Sequence, residues 1–400
     1  MPLDRTPAHG AYDVVIVGGG IHGASAAWWL ARDPDFHGRV LVVERDPSYE
    51  TASSTHTNSC IRQQFGAEVN VRISRFGAEF IHGFRDWMED REAPTLTLQS
   101  FGYLYLAGSE AGADALRQAQ ALQARLGCAT RLLTPAEIAA EWPFIEAGDV
   151  ILGSHNAVDE GYFDGATMFD WLRRRGRALG VDYVQAEVTG IGVEGGRVMS
   201  VTLDGGTEVA AGWVVNAAGP RAAQVAAMVG LPLPVEPRRR FTYVFEAAEP
   251  LPADLPLTID PSGVHMRSDG RLYMAGVKPD PDTAVAPDDF HDDPHLWEEV
   301  VWPALAARVP AFERIKLRRS WVGHYAYNTL DQNALLGPAP DLPNFLFASG
   351  FSGHGLQQAP AVGRGLAELI LHGRYVALDL SDLSYTRLAT GRALREPAII

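Results

Sequence analysis

Apolar and polar positions fall in blocks of distinct period along the 400 residues, and the block at Asp13–Asp46 is the most ordered. It opens with Val14–Val17, an unbroken apolar β-branched run of the kind buried on both faces of a parallel sheet. The run passes through Gly18-Gly-Gly20-Ile-His-Gly23 into Ala24–Ala31, a small and aromatic apolar segment patterned as a helix. A second apolar strand, Val40–Val43, follows and ends in Glu44. Strand, glycine turn, helix and strand in that order predict a βαβ unit. Beyond it, Glu68–Glu89 places Val69, Ile73, Phe76, Phe80, Phe84 and Trp87 at helical spacing, which predicts one long amphipathic helix. Phe101–Ala107 alternates as a strand, and Glu110–Leu126 has the period of a second amphipathic helix. Thr134–Pro143 carries an N-terminal signature: Thr134 as cap, Pro135 in the first turn and Glu137 completing a capping box.

The second half repeats the alternation of helix and strand patterns. Ala166–Leu179 predicts a helix, and Tyr183–Glu187, Thr189–Val193, Val198–Leu203 and Val209–Val215 predict short strands, with Gly195-Gly196 as a turn. The last of these runs through Asn216 into Ala217-Ala218-Gly219-Pro220, residues small enough to let backbone approach a ligand. Between Val235 and Ala275, alternating segments suggest an antiparallel sheet fit to floor a pocket. A helix is expected near His295–Arg308 and a strand at Leu317–Tyr325. Then come a short apolar strand, Asn344–Ser349, a second glycine-rich turn, Gly350-Phe-Ser-Gly353-His354-Gly355, and a helix at Ala361–Leu371. Interruption of the nucleotide-type unit by other elements implies two lobes, as expected at this length.

The spacing of Gly18, Gly20 and Gly23 is the dinucleotide fingerprint: the first glycine makes the tight turn, the second admits a pyrophosphate against bare backbone, and the third lets helix and strand pack closely. Glu44, at the end of the second strand, is placed to accept ribose hydroxyls. The hydroxyl-rich Thr51–Asn58 follows, able to bond phosphate or a flavin edge, and then Ile61-Arg62-Gln63-Gln64-Phe65, in which an arginine between apolar neighbours is set to face inward. Two glycine turns more than three hundred residues apart suggest one long ligand held at both ends.

A net charge of −15 argues against sequence-independent nucleic-acid binding, which needs a basic stripe. Lysine is nearly absent, with Lys278 and Lys316 the only two. Cys60 and Cys128 are too few and too far apart for a disulfide framework, and no metal site is expected. The first ten residues lack an apolar signal core, and no run approaches the ~18 apolar residues of a membrane span. A soluble cytoplasmic protein is the expectation.

With the N-terminal fingerprint, the NAAGP turn at Asn216–Pro220 and GFSGHGLQQAPAVGRG at Gly350–Gly365 in view, the chain resembles the D-amino-acid oxidase type of FAD-dependent oxidoreductases. The nearest likeness is to the branch holding sarcosine oxidases, dimethylglycine dehydrogenases, glycine oxidases and FOXRED-like proteins; IRQQFG at Ile61–Gly66 and EWPF at Glu141–Phe144 point to the last of these. The resemblance implies an α/β fold with a Rossmann-like FAD-binding domain of the glutathione-reductase type and an antiparallel-sheet substrate domain. The expected partition is 1–90, 150–230 and 328–400 for FAD binding, and 91–149 with 231–327 for substrate. Implied cofactor contacts are Gly18, Gly20, Ile21, His22 and Gly23 at the pyrophosphate, Glu44 and Arg45 at the adenosine ribose, and Ser53, Ser54, Thr55 and His56 in the loop beside the isoalloxazine. Val188 would reach adenine, Ala218 and Gly219 would lie near the pyrophosphate, and Gly353, His354, Gly355, Leu356 and Gln357 would face the flavin pyrimidine ring. Arg62 matches the arginine that pairs with a substrate carboxylate, and His354, Gln357 and His324 complete the implied catalytic set. Arg240, Tyr243, His265, Tyr273 and Tyr325 are further candidate pocket residues.

The implied reaction is oxidation of the carbon next to nitrogen in a small amino acid or a secondary or tertiary amine, with oxygen or an electron carrier as acceptor and the protein a monomer or homodimer. Three departures qualify it. Gln357 stands where monomeric sarcosine oxidases carry a lysine anchor, and His324 where they carry the flavin-linking cysteine. No lysine aligns with the one that activates oxygen, Lys278 matching a later position. The flavin is therefore expected to be non-covalent, with a histidyl link through His56 the alternative. Two other readings stand beside the enzyme: a flavin-bearing assembly factor without a substrate, and a subunit of a larger amine dehydrogenase.

Overall fold

The structure is a computed structural model and describes residues 3–396; residues 1–2 and 397–400, the extremes of the expected FAD-binding domain, lie outside the described residues. Two eight-stranded sheets organise it. In the first, the order is Leu335–Ala339, Leu342–Ser349, Glu208–Asn216, Ala11–Val17, Val40–Glu44 and Asp182–Gln185, with Arg197–Leu203 and Val188–Glu194 folded back as an antiparallel extension. Ala11–Val17 pairs in parallel on both sides, with Val14–Val17 opposite Val40–Val43 on one flank and Trp213–Asn216 on the other. Burial on both faces explains the unbroken apolar run: Val14, Val15 and Ile16 are fully buried. The chain leaves this strand toward Val40–Glu44 on one side, while its other neighbours arrive from far along the sequence. Its carboxyl end is thus a topological switch point, where open α/β sheets hold ligands.

The second sheet runs Ile315–Asn328, Val235–Ala247, Leu272–Val277, His265–Asp269, Leu257–Ile259, Tyr103–Ala107, Leu152–Asn156 and Arg131–Leu133. It is antiparallel as expected, except that Tyr103–Tyr105 pairs in parallel with Leu257–Ile259. Leu152–Asn156 pairs with Tyr103–Ala107 and Arg131–Leu133, so this strand lies in the second sheet, past the boundary expected at 150. The two long strands join the cores. Val235 and Ala326 pack with Leu335 and Phe345 of the first sheet, whereas Phe241, Tyr243, Phe245 and Val322 pack in the second.

Two helices differ from the sequence reading. The expected helix Glu68–Glu89 is broken at Gly83 into Glu68–His82 and Phe84–Met88, and ends on Glu89 in the left-handed region. The helix expected at Ala361–Leu371 instead spans Gly355–His372, with Pro360 inside it. Proline removes an interior N–H and usually disfavours such a position. The first helix, Ile21–Arg32, packs across this turn, with Ser25 Oγ donating to Ala359 O at 2.8 Å and Trp29 Nε1 to Pro360 O at 2.9 Å. This contact locks the two glycine-turn helices together. No helix among the described residues is long and apolar enough to cross a membrane.

Candidate active site

Because the strands ending at Val17, Glu44, Asn216 and Ser349 run parallel, their following turns gather at one edge of the first sheet. They border a cavity of about 520 Å³, walled on its other side by Thr242, Leu257, Ile259, His265, Tyr325 and their neighbours in the second sheet. That size suits a long organic ligand.

At the first glycine turn, Gly18 has a φ of +98°, and a Cβ there would meet Ala217 O at 2.5 Å, so only glycine fits. A Cβ on Gly20 would meet only Ser54 Oγ at 3.2 Å; it would project into the cavity. Gly23 does not line the cavity: a side chain there would collide with the carbonyl oxygen of Gly18, and its absence seats the helix on the strand. Gly20 precedes the helix without a side-chain cap; Ile21 N donates to Ser54 Oγ at 3.0 Å. Glu44 accepts from Gly19 N and from Asp46 N, both at 2.8 Å. Burial raises its pKa while those two bonds oppose the rise. A carboxylate held this way keeps lone pairs free for hydroxyl donors.

The second turn closes the opposite wall. Gly353 has a φ of +99°, and a Cβ there would meet the Tyr325 ring at 2.5 Å. His354 N-caps the Gly355–His372 helix without a side-chain cap bond, leaving helix amides toward the cavity. His22, in the first turn, stacks on Phe351 with centroids 3.6 Å apart. Its ring nitrogens have no hydrogen-bond partner, and burial depresses its pKa to about 3. Tyr49, which the motif reading did not single out, turns a buried hydroxyl without a partner to the same cavity.

Arg62 sits where the two walls meet, on the strand Cys60–Ile61 side of the cavity, and is 2% exposed. Its Nη1 donates to Tyr105 Oη, its Nη2 donates to His354 Nε2 at 3.0 Å, and its guanidinium lies 4.5 Å over the Phe65 ring. Among the described residues no carboxylate forms an ion pair with it. Its Nε is also without a partner. Since Arg62 must donate, His354 Nε2 accepts, and burial together with the Arg62 charge holds His354 well below the ordinary histidine range. His354 is therefore a neutral imidazole. Gln357 Oε1 accepts from Arg62 N at 2.8 Å and fixes the backbone of that arginine.

The remaining expected residues divide. Arg45, Ser53, His56, Val188, Ala218, Gly219, Leu356 and His324 line the cavity. Thr55 does not: its Oγ1 is spent on the carbonyls of Tyr49 and Ala52, so its expected place beside the cofactor is corrected. His324 Nε2 donates to Asp289 O at 2.7 Å, and its ring stacks on Phe290 at 4.2 Å, so it anchors the 278–295 loop. His56 Nδ1 is bound to Ala52 O at 3.2 Å, leaving Nε2 uncommitted. Arg240 and His265 face the cavity, as does Tyr325, but Tyr243 and Tyr273 are buried in the second core and are not pocket residues. Strand alternation is the reason: Phe241, Tyr243 and Phe245 share the core side, which leaves Arg240 and Thr242 to the cavity. Asn58, unremarked in the sequence, accepts from Thr242 Oγ1 at 3.4 Å and meets His265 Nε2 at 3.2 Å. Burial lowers His265 to about 4, so it too is neutral.

A dinucleotide cradle at the edge of a parallel sheet, roofed by an antiparallel sheet, is the arrangement of a flavoprotein oxidoreductase, in which the cofactor carries the chemistry. The partnerless nitrogens of His22, the Tyr49 hydroxyl and the open face at Gly20 fit such a group. Residues 13–369 match the family described as FAD dependent oxidoreductase, DAO type, and the chain belongs to it. It is 38% identical over 423 residues to the FAD-dependent oxidoreductase domain-containing protein 1 of Bos taurus, covering 97% of this chain and 87% of that one. It is 28% identical to sarcosine oxidase subunit beta of Rhizobium meliloti, over 90% of this chain and 85% of that one. Among solved structures, L-proline dehydrogenase from P. horikoshii superposes with a TM-score of 0.82 at 25% identity, over 98% of this chain and all of that one.

Proposed function

We propose that this protein oxidises the C–N bond of a small amine that bears a carboxylate, of the sarcosine, dimethylglycine or glycine kind. The observation that carries this is Arg62: a buried guanidinium on the cavity wall with no ion-pair partner among the described residues. A buried charge with no carboxylate in direct contact is costly to keep, and a ligand anion seated on it offsets that cost. Bidentate pairing with a carboxylate would also fix the adjacent carbon in one orientation. The names of the relatives, a sarcosine oxidase subunit and a proline dehydrogenase, are those of proteins acting on such compounds.

When bound, FAD supplies the acceptor for the hydrogen and the electron pair. Gly18, Gly20 and the Ile21–Arg32 helix N-terminus would hold its pyrophosphate, and Glu44 its ribose. The N-terminus of the Gly355–His372 helix would offer amides and a positive dipole end to an electron-rich ring edge. Arg62 binds and orients the substrate, and Leu257 and Ile259 exclude water from the space beside it. Neutral His354 keeps Arg62 aimed without competing for its charge. His56, with Nε2 uncommitted, is the histidine through which a covalent link would form; the flavin is held without such a bond.

The test is anaerobic mixing of the purified flavoprotein with paired amines, one with a carboxylate and one without. Bleaching of the flavin absorbance by the carboxylated member alone is expected. Equal bleaching by both would remove Arg62 from substrate recognition, and none by any amine would favour a flavin protein without an amine substrate.

A further inference from the structure

Behind Arg62, outside the cavity wall, lies a carboxyl group with no part in the site described so far. Glu160 is fully buried, in the bend between Leu152–Asn156 and Gly161–Tyr162. Its Oε1 accepts from Gln63 N at 2.6 Å and Asn156 Nδ2 at 2.9 Å, and its Oε2 accepts from Gln64 Nε2 at 2.9 Å. Gln64 is pinned in turn, donating to Tyr103 O at 3.0 Å and accepting from Ser154 Oγ at 2.7 Å. Gln63 and Gln64 are the two residues after Arg62. The arginine is therefore gripped from the cavity side by Gln357 and from behind by Glu160.

The charges around it are few. Among the described residues Arg62 carries no ion pair. A second buried cation, Arg267 beside Cys60 and Tyr103, is paired with Asp269. The Cys128 thiol, within electrostatic reach of Glu160 and of Arg75, is pushed up by burial. The acids facing Arg62 are Glu160 and Glu396, the latter accepting from Gly66 N at 2.5 Å, Ala67 N at 3.2 Å and Asn70 Nδ2 at 2.5 Å. Tyr105, which takes a hydrogen bond from Arg62, lies within electrostatic reach of all three. Tyr103 and Tyr105 are held protonated by burial, and His354 is neutral. A ligand carboxylate docked on Arg62 would be a third negative group beside one positive one, in a region closed to water.

We propose that Glu160 is the positioning residue of Arg62 and its proton-linked counter-charge: it fixes the segment that carries the guanidinium, and it takes up one proton when an anion docks there. This rests on the reading of Arg62 as a carboxylate site. Burial already raises Glu160 to about 7, against the lowering effect of its three hydrogen bonds and of Arg62. A further negative charge raises it more, so binding draws in a proton from about pH 7 upward, until the pH passes the new value. Affinity for an anion then falls with rising pH across that window, by at most about tenfold per pH unit. Below about pH 7 Glu160 is already protonated and affinity is flat.

Acetate and propionate serve as unreactive probes of the flavin-loaded protein. Their binding is followed through the flavin absorbance between pH 6 and 9, with calorimetry in two buffers of different ionisation enthalpy to count protons. The expected result is uptake approaching one proton per bound ligand near pH 8, lost in Glu160→Gln, whose affinity no longer varies with pH. An infrared difference spectrum of the unaltered protein should show a protonated-carboxyl band gained on binding, which keeps the question answerable if Glu160→Gln does not fold. Binding without proton uptake or without that band overturns the proposal and leaves carboxylate recognition standing. Uptake that persists in Glu160→Gln places the proton elsewhere, on Glu396 for instance, and overturns it too. Absence of any carboxylate binding removes the Arg62 reading itself.

Discussion

Replacing Arg62 by methionine separates what this residue does for folding from what it does for a ligand. In the unliganded protein, burying a guanidinium without an ion pair is unfavourable by several kcal/mol even after relaxation, as a general magnitude (~2–5 kcal/mol). The Phe65 ring at 4.5 Å and the bonds to Tyr105 and His354 return roughly 1–2 kcal/mol each. Methionine relieves the first cost and gains about 1.5–3 kcal/mol by burying its own apolar side chain, but it loses the Phe65 contact and, in place of the two hydrogen bonds, leaves the Tyr105 hydroxyl and His354 Nε2 without a donor, at about 1–3 kcal/mol apiece. These contributions nearly cancel, so Arg62→Met is expected to unfold within about 2 kcal/mol of the parent. Ligand recognition has no such cancellation. Loss of a buried, hydrogen-bonded partner for a carboxylate costs about 2–5 kcal/mol, or roughly 30-fold to several thousandfold in kcat/KM. The assay is steady-state turnover of a carboxylated amine and its carboxylate-free counterpart by both proteins, beside urea unfolding of each. The preference for the carboxylated member should collapse while stability barely moves. A variant that keeps the preference, or that loses turnover equally on both amines while unfolding early, would refute the reasoning.

Other predictions follow from single contacts. Gly20→Ala meets only Ser54 Oγ at 3.2 Å and should fold normally yet bind FAD at least about tenfold more weakly, since its methyl occupies phosphate space; Gly23→Ala, blocked by the Gly18 carbonyl, should lose stability as well. Fluorescence titration and thermal melts tell the two apart. His155 is buried, with its pKa pushed by burial from 6.5 to about 4, so the unfolded chain binds the extra proton between those values and stability falls as pH drops from about 6.5 to 4. His155→Gln should flatten that decline by up to about 3 kcal/mol, read from urea unfolding at pH 7 and pH 4; an unchanged slope would show that His155 is not its source. The 278–295 loop is tied by Asp282 to Arg240, by Asp289 to Arg239, and by Asp288 to both Arg221 and Arg45 at the cofactor end of the cavity. The two Asp288 pairs are solvent-exposed on the Asp288 side, so Asp288→Ala should speed FAD release only a few-fold, and added salt should do the same to the parent. A release rate indifferent to both would mean the loop does not retain the cofactor.

The parts legible in the sequence were those written locally. The fingerprint glycines, Glu44 and the second glycine turn are short-range patterns whose geometry follows from adjacent residues, and the cavity gathers them. Arg62 stood out because a charge between Ile61 and Phe65 has no reason to be solvated. His354 stands out through its glycine turn, but the other partners do not: Tyr105 and Glu160 come from a remote strand and bend, and Glu160 precedes a two-residue strand that no periodicity reveals. Leu152–Asn156 was missed because its sequence, LGSHN, has no alternation, although every residue in it is buried by the sheet. The helix start at Gly355 is hidden by Pro360, because a proline six residues into a helix reads as a break in any local pattern. Tyr243 and Tyr273 were misplaced since alternation gives the two faces of a strand but not which one meets the core.

The cradle built from both ends of the sequence also bears on how the protein is made. A ribosome delivers Gly18 and the Ile21–Arg32 helix long before Leu342–Ser349, the strand that closes the sheet beside Glu208–Asn216, and before Gly353. During that interval the nascent chain holds half a nucleotide site and an apolar first strand whose Trp213–Asn216 neighbour is also still to come. Flavin capture is therefore a late event in biogenesis. Cells starved of riboflavin should accumulate full-length chains that proteases cut readily, and no fragment ending before residue 350 should turn yellow when FAD is supplied.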